Sequence, residues 1–314
     1  MGRDKEENKE QIQEQNLIEL PVRSLWQDAI HRLTKNRLAV ISFFIILLYL
    51  TVALLSGLGL IATRYDEQAY KTDPSGVSVL DSYRPPCFDH LLGTDIQGRD
   101  VLSRVIQGSW ISLRVALTMS VIYITIAVIL GALAGYFGGW VDDLIQWIYQ
   151  TLASIPGLLL IIALTFVLGK GLTNVAIALG LVGWVSLCRL MRAEYLKHKS
   201  RDYVLAAKAQ GIGDFRIMFR HIFPNTLHIV IISFSLGFIH AIMGEVVLTF
   251  VGLGAQSHEP SWGRMISEAR AELARDPAVY WPLLSATVAM FIVCLAFNIF
   301  GDALRDSLDP KLKV

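Results

Sequence analysis

The chain has 314 residues, 54% hydrophobic and 18% charged, with a formal net charge of +1. Length alone allows a soluble domain, but the apolar residues are gathered into runs long enough to cross a bilayer, which takes about 20 residues. Six such runs together, Leu38–Leu60, Leu113–Phe137, Trp147–Leu168, Leu172–Leu190, Leu227–Val251 and Trp281–Phe300, exclude the soluble reading and predict an all-α integral membrane protein of six transmembrane helices.

Residues 1–23 are expected to form a disordered cytoplasmic tail, rich in Lys, Glu and Gln over the first twenty positions. They do not read as a cleavable signal, because the charges are mixed and the apolar run that follows is too long. Over 24–37 the pattern changes. Leu25, Trp26, Ala29, Ile30 and Leu33 recur at helical spacing opposite Gln27, His31 and Arg32, with Ser24 as a candidate N-cap. Such a basic amphipathic helix lies in the membrane interface. The first span is expected over 38–62 and an external loop over 63–110. That loop holds Gly93, Thr94 and Asp95, then Gly98, Arg99 and Asp100, which read as turn chemistry shaping the external mouth.

The remaining spans form a core over 111–301 with a cytoplasmic loop at 191–226 and a cytoplasmic tail at 302–314. Gly131, Gly135 and Gly139 recur at four-residue spacing and read as a helix-packing seam. Pro156-Gly157 is expected to kink the third span. Glu245 is the most conspicuous intramembrane charge; it is expected to face the bundle interior, either lining a pathway or pairing with another polar group. Asp302, Arg305, Asp306 and Asp309 read as a solvated helix end. The Lys and Arg residues concentrate before the first span and in the 191–226 loop, which places both termini and that loop in the cytoplasm. Cys87, Cys188 and Cys294 offer no reasonable disulfide pair.

No catalytic or metal constellation stands out. The seven histidines lack paired-ligand spacing, and Gly169-Lys170-Gly171 lacks the rest of a phosphate-binding loop, so the chain is expected to bind no cofactor and to hold no ATP site. Chemistry concentrates instead in YVLAAKAQGIGDFRIMFRHIFPN, residues 203–225. Tyr203 to Gln210 favours a helix, Gly211 and Gly213 interrupt it, and Asp214 is a candidate N-cap for a second short helix. On that helix Phe215, Met218, Phe219 and Ile222 share one face, Arg216 and Arg220 line another, and Pro224 is expected to close the segment. The pattern fits an interfacial hairpin whose arginines touch lipid phosphate, or a helix that docks in a groove of a soluble partner.

This stretch resembles the Glu-Ala-Ala loop of permease subunits in binding-protein-dependent ATP-binding-cassette importers. Ala206, Ala207, Gly211 and Pro224 fall at the matching positions, while Leu205 stands in place of the family glutamate, His221 in place of an isoleucine and Phe223 in place of a leucine. Residues 92–113, 251–270 and 297–310 resemble segments of the dipeptide, oligopeptide and nickel branch, nearest its C-type peptide permease subunit. The resemblance implies a MetI-like permease fold in a bacterial or archaeal cytoplasmic membrane. It implies a non-catalytic subunit beside a second homologous permease, two cytoplasmic ATPase subunits that bind ATP and Mg, an extracytoplasmic substrate-binding protein and membrane lipid, with no nucleic acid. Peptides are the expected substrate, and nickel or another small solute the alternative. A secondary transporter working without ATPases is the rival; it calls for paired intramembrane charges or inverted repeats, which the sequence lacks.

Overall fold

The computed structural model describes residues 25–256 and 258–308, with side chains from Ile30 onward. The expected tail over 1–23, the Ser24 cap, the faces assigned to Leu25, Trp26 and Ala29, and Asp309 lie outside the described residues. Helix α1 (Leu25–Lys35) is followed by α2 (Arg37–Gly57) with only Asn36 between them. The Asn36 carboxamide oxygen accepts from the amides of Leu38 and Ala39 at 3.0 and 3.2 Å, capping α2 and fixing the corner. Helix α1 rests against the last helix of the chain.

A small antiparallel hairpin, β1 (Tyr70–Thr72) and β2 (Ser78–Leu80), lies within the loop that follows, with Tyr70 opposite Leu80. Helix α3 (Val101–Phe137) begins well before the expected second span, so that loop ends at Asp100 rather than at residue 110. The early turns of α3 carry Arg104, Gln107, Ser109 and Ser112, polar residues that hid the helix from an apolar count. Beyond it come α4 (Gly139–Ala153), α5 (Gly157–Leu168), α6 (Leu172–Gly183), α7 (Val185–Lys199) and α8 (Asp202–Ala209). A short helix α9 (Asp214–Arg216) enters a π-helical turn (Ile217–Ile222) and continues as α10 (Phe223–Phe250). Then follow α11 (Trp262–Ala269), a 3-10 turn (Glu272–Ala274) and α12 (Trp281–Leu308).

Among the described residues, five helical stretches are long and apolar enough to span a bilayer: α2, α3, Leu172–Lys199, Asp214–Phe250 and α12. The expected third span is bent by 92° into α4 and α5. Contacts at its two ends decide whether it crosses. The end of α3, just before α4, meets the 202–226 segment, where the Tyr136 hydroxyl donates to Asp214 at 2.6 Å. The end of α5 leads to Gly171, whose amide donates to the Leu253 carbonyl at 3.2 Å, beyond the far end of α10. The bent pair therefore starts at one end of the bundle and finishes at the other. It is a broken crossing, and the described residues make six.

Helix α3 is the central post, packed against α2, α6, α7 and α10. Its closest seam is with α7. A Cβ on Gly131 would sit 2.6 Å from the Met191 Cβ, and one on Gly135 would sit 2.5 Å from the Arg192 carbonyl oxygen. No side chain fits there, and the absence of one lets the two backbones touch. Gly139 does not belong to this seam. It has φ +53 with nothing within 4 Å of a Cβ, and it makes the turn between α3 and α4. Trp262 seals the opposite end of α3, fully buried, its indole nitrogen donating to the Val105 carbonyl at 3.0 Å. Helix α12 carries Asp302, Arg305 and Asp306 within its last turns to Leu308, where a helix end was expected.

Candidate functional site

At the end of the bundle where α3 meets the 202–226 segment, Gly211 has φ +74 with open space around it. It turns the chain from α8 toward α9, as glycine best does. Helix α9 starts at Asp214 with Gly213 in the capping position, so Asp214 is not the cap; its carboxylate takes the Tyr136 hydroxyl and ties the segment to α3. The faces also differ from the expected ones. Ile217, Met218 and Ile222 are fully buried, whereas Phe215 is 64% exposed and Phe219 41% exposed, beside exposed Arg216 and Arg220. The π turn accounts for the change, because one more residue per hydrogen-bonded ring shifts the spacing of the buried face from i, i+3, i+4 toward i, i+5.

Pro224 does not close the segment: the helix runs on through it, and beside it the amide of Phe223 donates to the Met218 carbonyl across the π turn. The carbonyl of His221 accepts from the Asn225 carboxamide at 2.7 Å. The segment is thus the N-terminal extension of a continuous 37-residue helix. Ala207 is buried, Ala206 is exposed and Leu205, at the position of the family glutamate, is 52% exposed. The outward surface combines Leu205, Ala206, Phe215 and Phe219 with Arg216 and Arg220: apolar anchors with two cations at their edge. Such a composition suits a protein partner with an acidic rim.

The opposite end is organised by the loop over 93–100. Gly93 has φ +73, and a Cβ there would meet the Trp281 indole at 2.7 Å. The Thr94 hydroxyl donates to the Asp81 carbonyl, and its own carbonyl accepts from the Trp281 indole at 3.0 Å. Gly98 at φ +70 brings the backbone against Ala69, where a Cβ would lie 2.9 Å from a carbonyl oxygen. Asp100 caps α3 through the Ser103 amide at 2.8 Å and meets His90 at 3.0 Å. Asp95 receives the Arg99 side chain at 2.8 Å. Arg99 reaches on to Asp66 and Glu268, and Arg104 to Glu268, at 3.3–3.4 Å. Sequence reasoning read this loop as a turn and missed Asp66, Arg104 and Glu268. An arginine inside the first turns of a spanning helix was the available signal for a buried ion network.

Glu272 lies under this network, 1% exposed, with Oε2 unbonded among the described residues. Burial, then the charges of Asp95 and Glu268, push its carboxyl up to about 7, and Arg275 opposes the shift. Glu245 is fully buried where α10 meets α11. It accepts from the Thr249 hydroxyl at 2.8 Å, and its Oε1 lies 3.1 Å from where a Cβ on Gly263 would be. Thr249 in turn accepts from the Ala255 amide at 3.1 Å. The second oxygen of Glu245, Oε2, is unbonded among the described residues. Among the described residues no group of three His, Cys, Asp or Glu could hold a metal ion.

Comparison with known proteins assigns this helical bundle to a family. Residues 127–314 match the family described as binding-protein-dependent transport system inner membrane component. The chain belongs to that family. Residues 24–86 match the N-terminal TM domain of oligopeptide transport permease C. The chain is 38% identical to the dipeptide transport system permease protein DppC of Alkalihalophilus pseudofirmus, covering 92% of this chain and 91% of the relative. It is 36% identical to the oligopeptide transport system permease protein OppC of Bacillus subtilis, again over 92% and 91%. A glutathione transport system permease protein GsiD of Pectobacterium atrosepticum is 35% identical over 93% of both chains. This inner membrane component is a multi-pass permease subunit.

Proposed function

We propose that this chain is half of the translocation pathway of an ATP-driven importer of dipeptides or oligopeptides, oriented with the 202–226 surface in the cytoplasm. A second, homologous permease completes the pathway. A binding protein delivers solute at the 93–100 face, and two ATPase subunits that bind ATP and Mg dock on the 202–226 surface. The carrying observation is that surface. Phe215 and Phe219 stand exposed beside Arg216 and Arg220, on a segment continuous with a spanning helix, so a partner that grips them acts directly on the bundle. Names of relatives that specify dipeptide, oligopeptide and glutathione transport support a short-peptide solute. Chemistry on the chain itself is not required: its part is to bind, guide and move.

The test is purification of the tagged chain from its own membrane in mild detergent, with mass spectrometry of the proteins that accompany it. Stoichiometric ATPase subunits are expected with the wild type and are expected to be lost in Gly211→Asp/Arg216→Glu, which alters the exposed surface and spares the spans. Absence of ATPases from a correctly folded wild-type chain would return the segment to a lipid-facing hairpin and the function to a secondary transporter.

A further inference from the structure

Where the end of the broken crossing meets the α10–α11 connection, the chain encloses a cavity of about 520 Å³, within the usual size of small-molecule sites. Lys170, His258 and Arg264 line it, with Gly252, Gly254 and Gln256, and no carboxylate does. The cavity lies at the end of the bundle opposite the 202–226 surface. There the Gly171 amide donates to the Leu253 carbonyl at 3.2 Å and joins the two segments. Its floor is anchored: the Ala255 amide donates to the Thr249 hydroxyl at 3.1 Å, and that hydroxyl donates to Glu245 at 2.8 Å.

The bonding around this cavity occupies the acceptors and leaves the cations. The Asn174 carboxamide donates to the carbonyls of Leu168 and Gly169 at 2.8 and 3.1 Å, beside Lys170. Glu259, one residue past His258, turns its carboxylate to the Gln256 amide at 2.9 Å. Glu268 pairs with Arg264 at 2.8 Å but also serves Arg99 and Arg104 at 3.3 Å, so its charge is divided among three guanidinium groups. Among the described residues the Lys170 ammonium has no ion-pair or hydrogen-bond partner. A concave site lined by one sign of charge concentrates the opposite ion. Lysine offers a carboxylate a point charge and arginine offers it a fork of donors.

We propose that this cavity receives the free carboxylate of an arriving peptide, with Lys170 as its main ion partner and Arg264 and His258 as further donors. A terminal carboxylate is common to peptides of every side chain, so one fixed site serves varied solutes. Lys170 belongs to the end of the broken crossing and Arg264 to α11, so a bound anion joins two parts of the bundle. The inference rests on the proposed function and goes beyond it by assigning a substrate contact to this chain.

The test uses the full importer reconstituted with its binding protein, in vesicles of phosphatidylcholine with and without phosphatidylglycerol. ATP-driven uptake of dialanine and of its C-terminal amide is compared at saturating binding protein loaded with each. One binding protein serves every variant, so a change in the acid-to-amide ratio belongs to the permease. Lys170→Gln is expected to lower that ratio about fivefold, and Lys170→Arg to restore it within about twofold of the wild type. An unchanged ratio in a Lys170→Gln complex that assembles and transports would overturn the carboxylate site. Equal loss for acid and amide, with more binding protein needed for half-maximal stimulation of ATP hydrolysis, would overturn it in favour of a contact with the binding protein. Equal loss confined to vesicles with phosphatidylglycerol would overturn it in favour of a lipid phosphate. Absence of ATP-dependent peptide uptake by the wild-type complex would overturn the proposed function itself.

Discussion

Asp142 and Arg192 hold α4 to α7 by a forked pair, Nε to Oδ1 at 2.5 Å and the second nitrogen to Oδ2 at 2.6 Å, with the two side chains 12% and 25% exposed. Arg189 reinforces the contact by lying 4.8 Å over the Tyr149 ring. Removing one member of such a pair strands the other charge, which for buried pairs costs about 3–5 kcal/mol; the partial exposure of Arg192 brings Arg192→Met to about 3 kcal/mol. Asp142→Leu costs less, about 2 kcal/mol, because a stranded arginine extends its head toward water. The double substitution removes both charges and is expected to fall within about 1 kcal/mol of the wild type. SDS titration in mixed micelles, followed by tryptophan fluorescence, measures all four corners of the cycle. A double variant whose loss equals the sum of the two single losses would refute the clamp, since independent sites add.

At the α3–α7 seam, Gly135→Ala forces a methyl against the Arg192 carbonyl and is expected to cost about 1–3 kcal/mol, while Gly139→Asn, at an open left-handed turn, stays within about 0.5 kcal/mol; the same titration distinguishes them. Met218→Ala, in the buried face of the π turn, is expected to destabilise by about 2–5 kcal/mol, whereas Phe215→Ala leaves stability unchanged and lowers ATPase retention about tenfold in pull-downs. Glu272 gives a pH dependence of defined sign. Its carboxyl is raised from 4.5 to about 7 in the fold, so the native state holds a proton that the unfolded state releases, and stability falls as pH rises from about 4.5 through about 7. The loss amounts to roughly 3 kcal/mol, and Glu272→Gln should flatten that segment of the stability profile; an unchanged slope would assign it elsewhere.

Spans were legible because hydropathy reports what lipid demands, and five of the six runs correspond to long helices. The sixth was legible as a kink at Pro156-Gly157 but not as a right-angled break, because proline announces a lost hydrogen bond and not the angle that tertiary packing imposes. Gly131 and Gly135 could be read as a seam from spacing alone; Gly139 shares the spacing but falls past the end of α3, where the same residue serves a turn. In the 202–226 segment the residue types were legible and the faces were not. Their assignment assumed α-helical periodicity, and the π turn separates buried Met218 and Ile222 from exposed Phe215 and Phe219, which were expected to share their face. The ion network around the 93–100 loop was invisible because Asp66, Arg99, Arg104 and Glu268 are brought together across some two hundred residues of chain. Sequence spacing carries no information about such a meeting.

Continuity between α9 and α10 determines what a push at the 202–226 surface would do. A separate docking helix ending at Pro224 would dissipate a displacement in its hinge. Here Asp214–Phe250 is one helix of 37 residues, about 55 Å long, and it runs on through Pro224. Its first residue, Asp214, is held to α3 by the Tyr136 hydroxyl, and its π turn to α7 by the Tyr195 hydroxyl, which donates to the Met218 carbonyl at 3.1 Å. Its far end holds Glu245 and Thr249 against the loop and α11, and Glu268 of α11 joins Arg99 and Arg104. A continuous path of named contacts therefore connects the exposed arginines at one face with the 93–100 loop at the other. On the proposed function, ATPase closure and binding-protein docking act on opposite ends of this rod. Thr249→Val removes the hydroxyl that links Glu245 to Ala255 while keeping the volume. It is expected to leave ATPase retention intact and to uncouple stimulation of ATP hydrolysis by the loaded binding protein. Normal stimulation in that variant would place the coupling path in another helix.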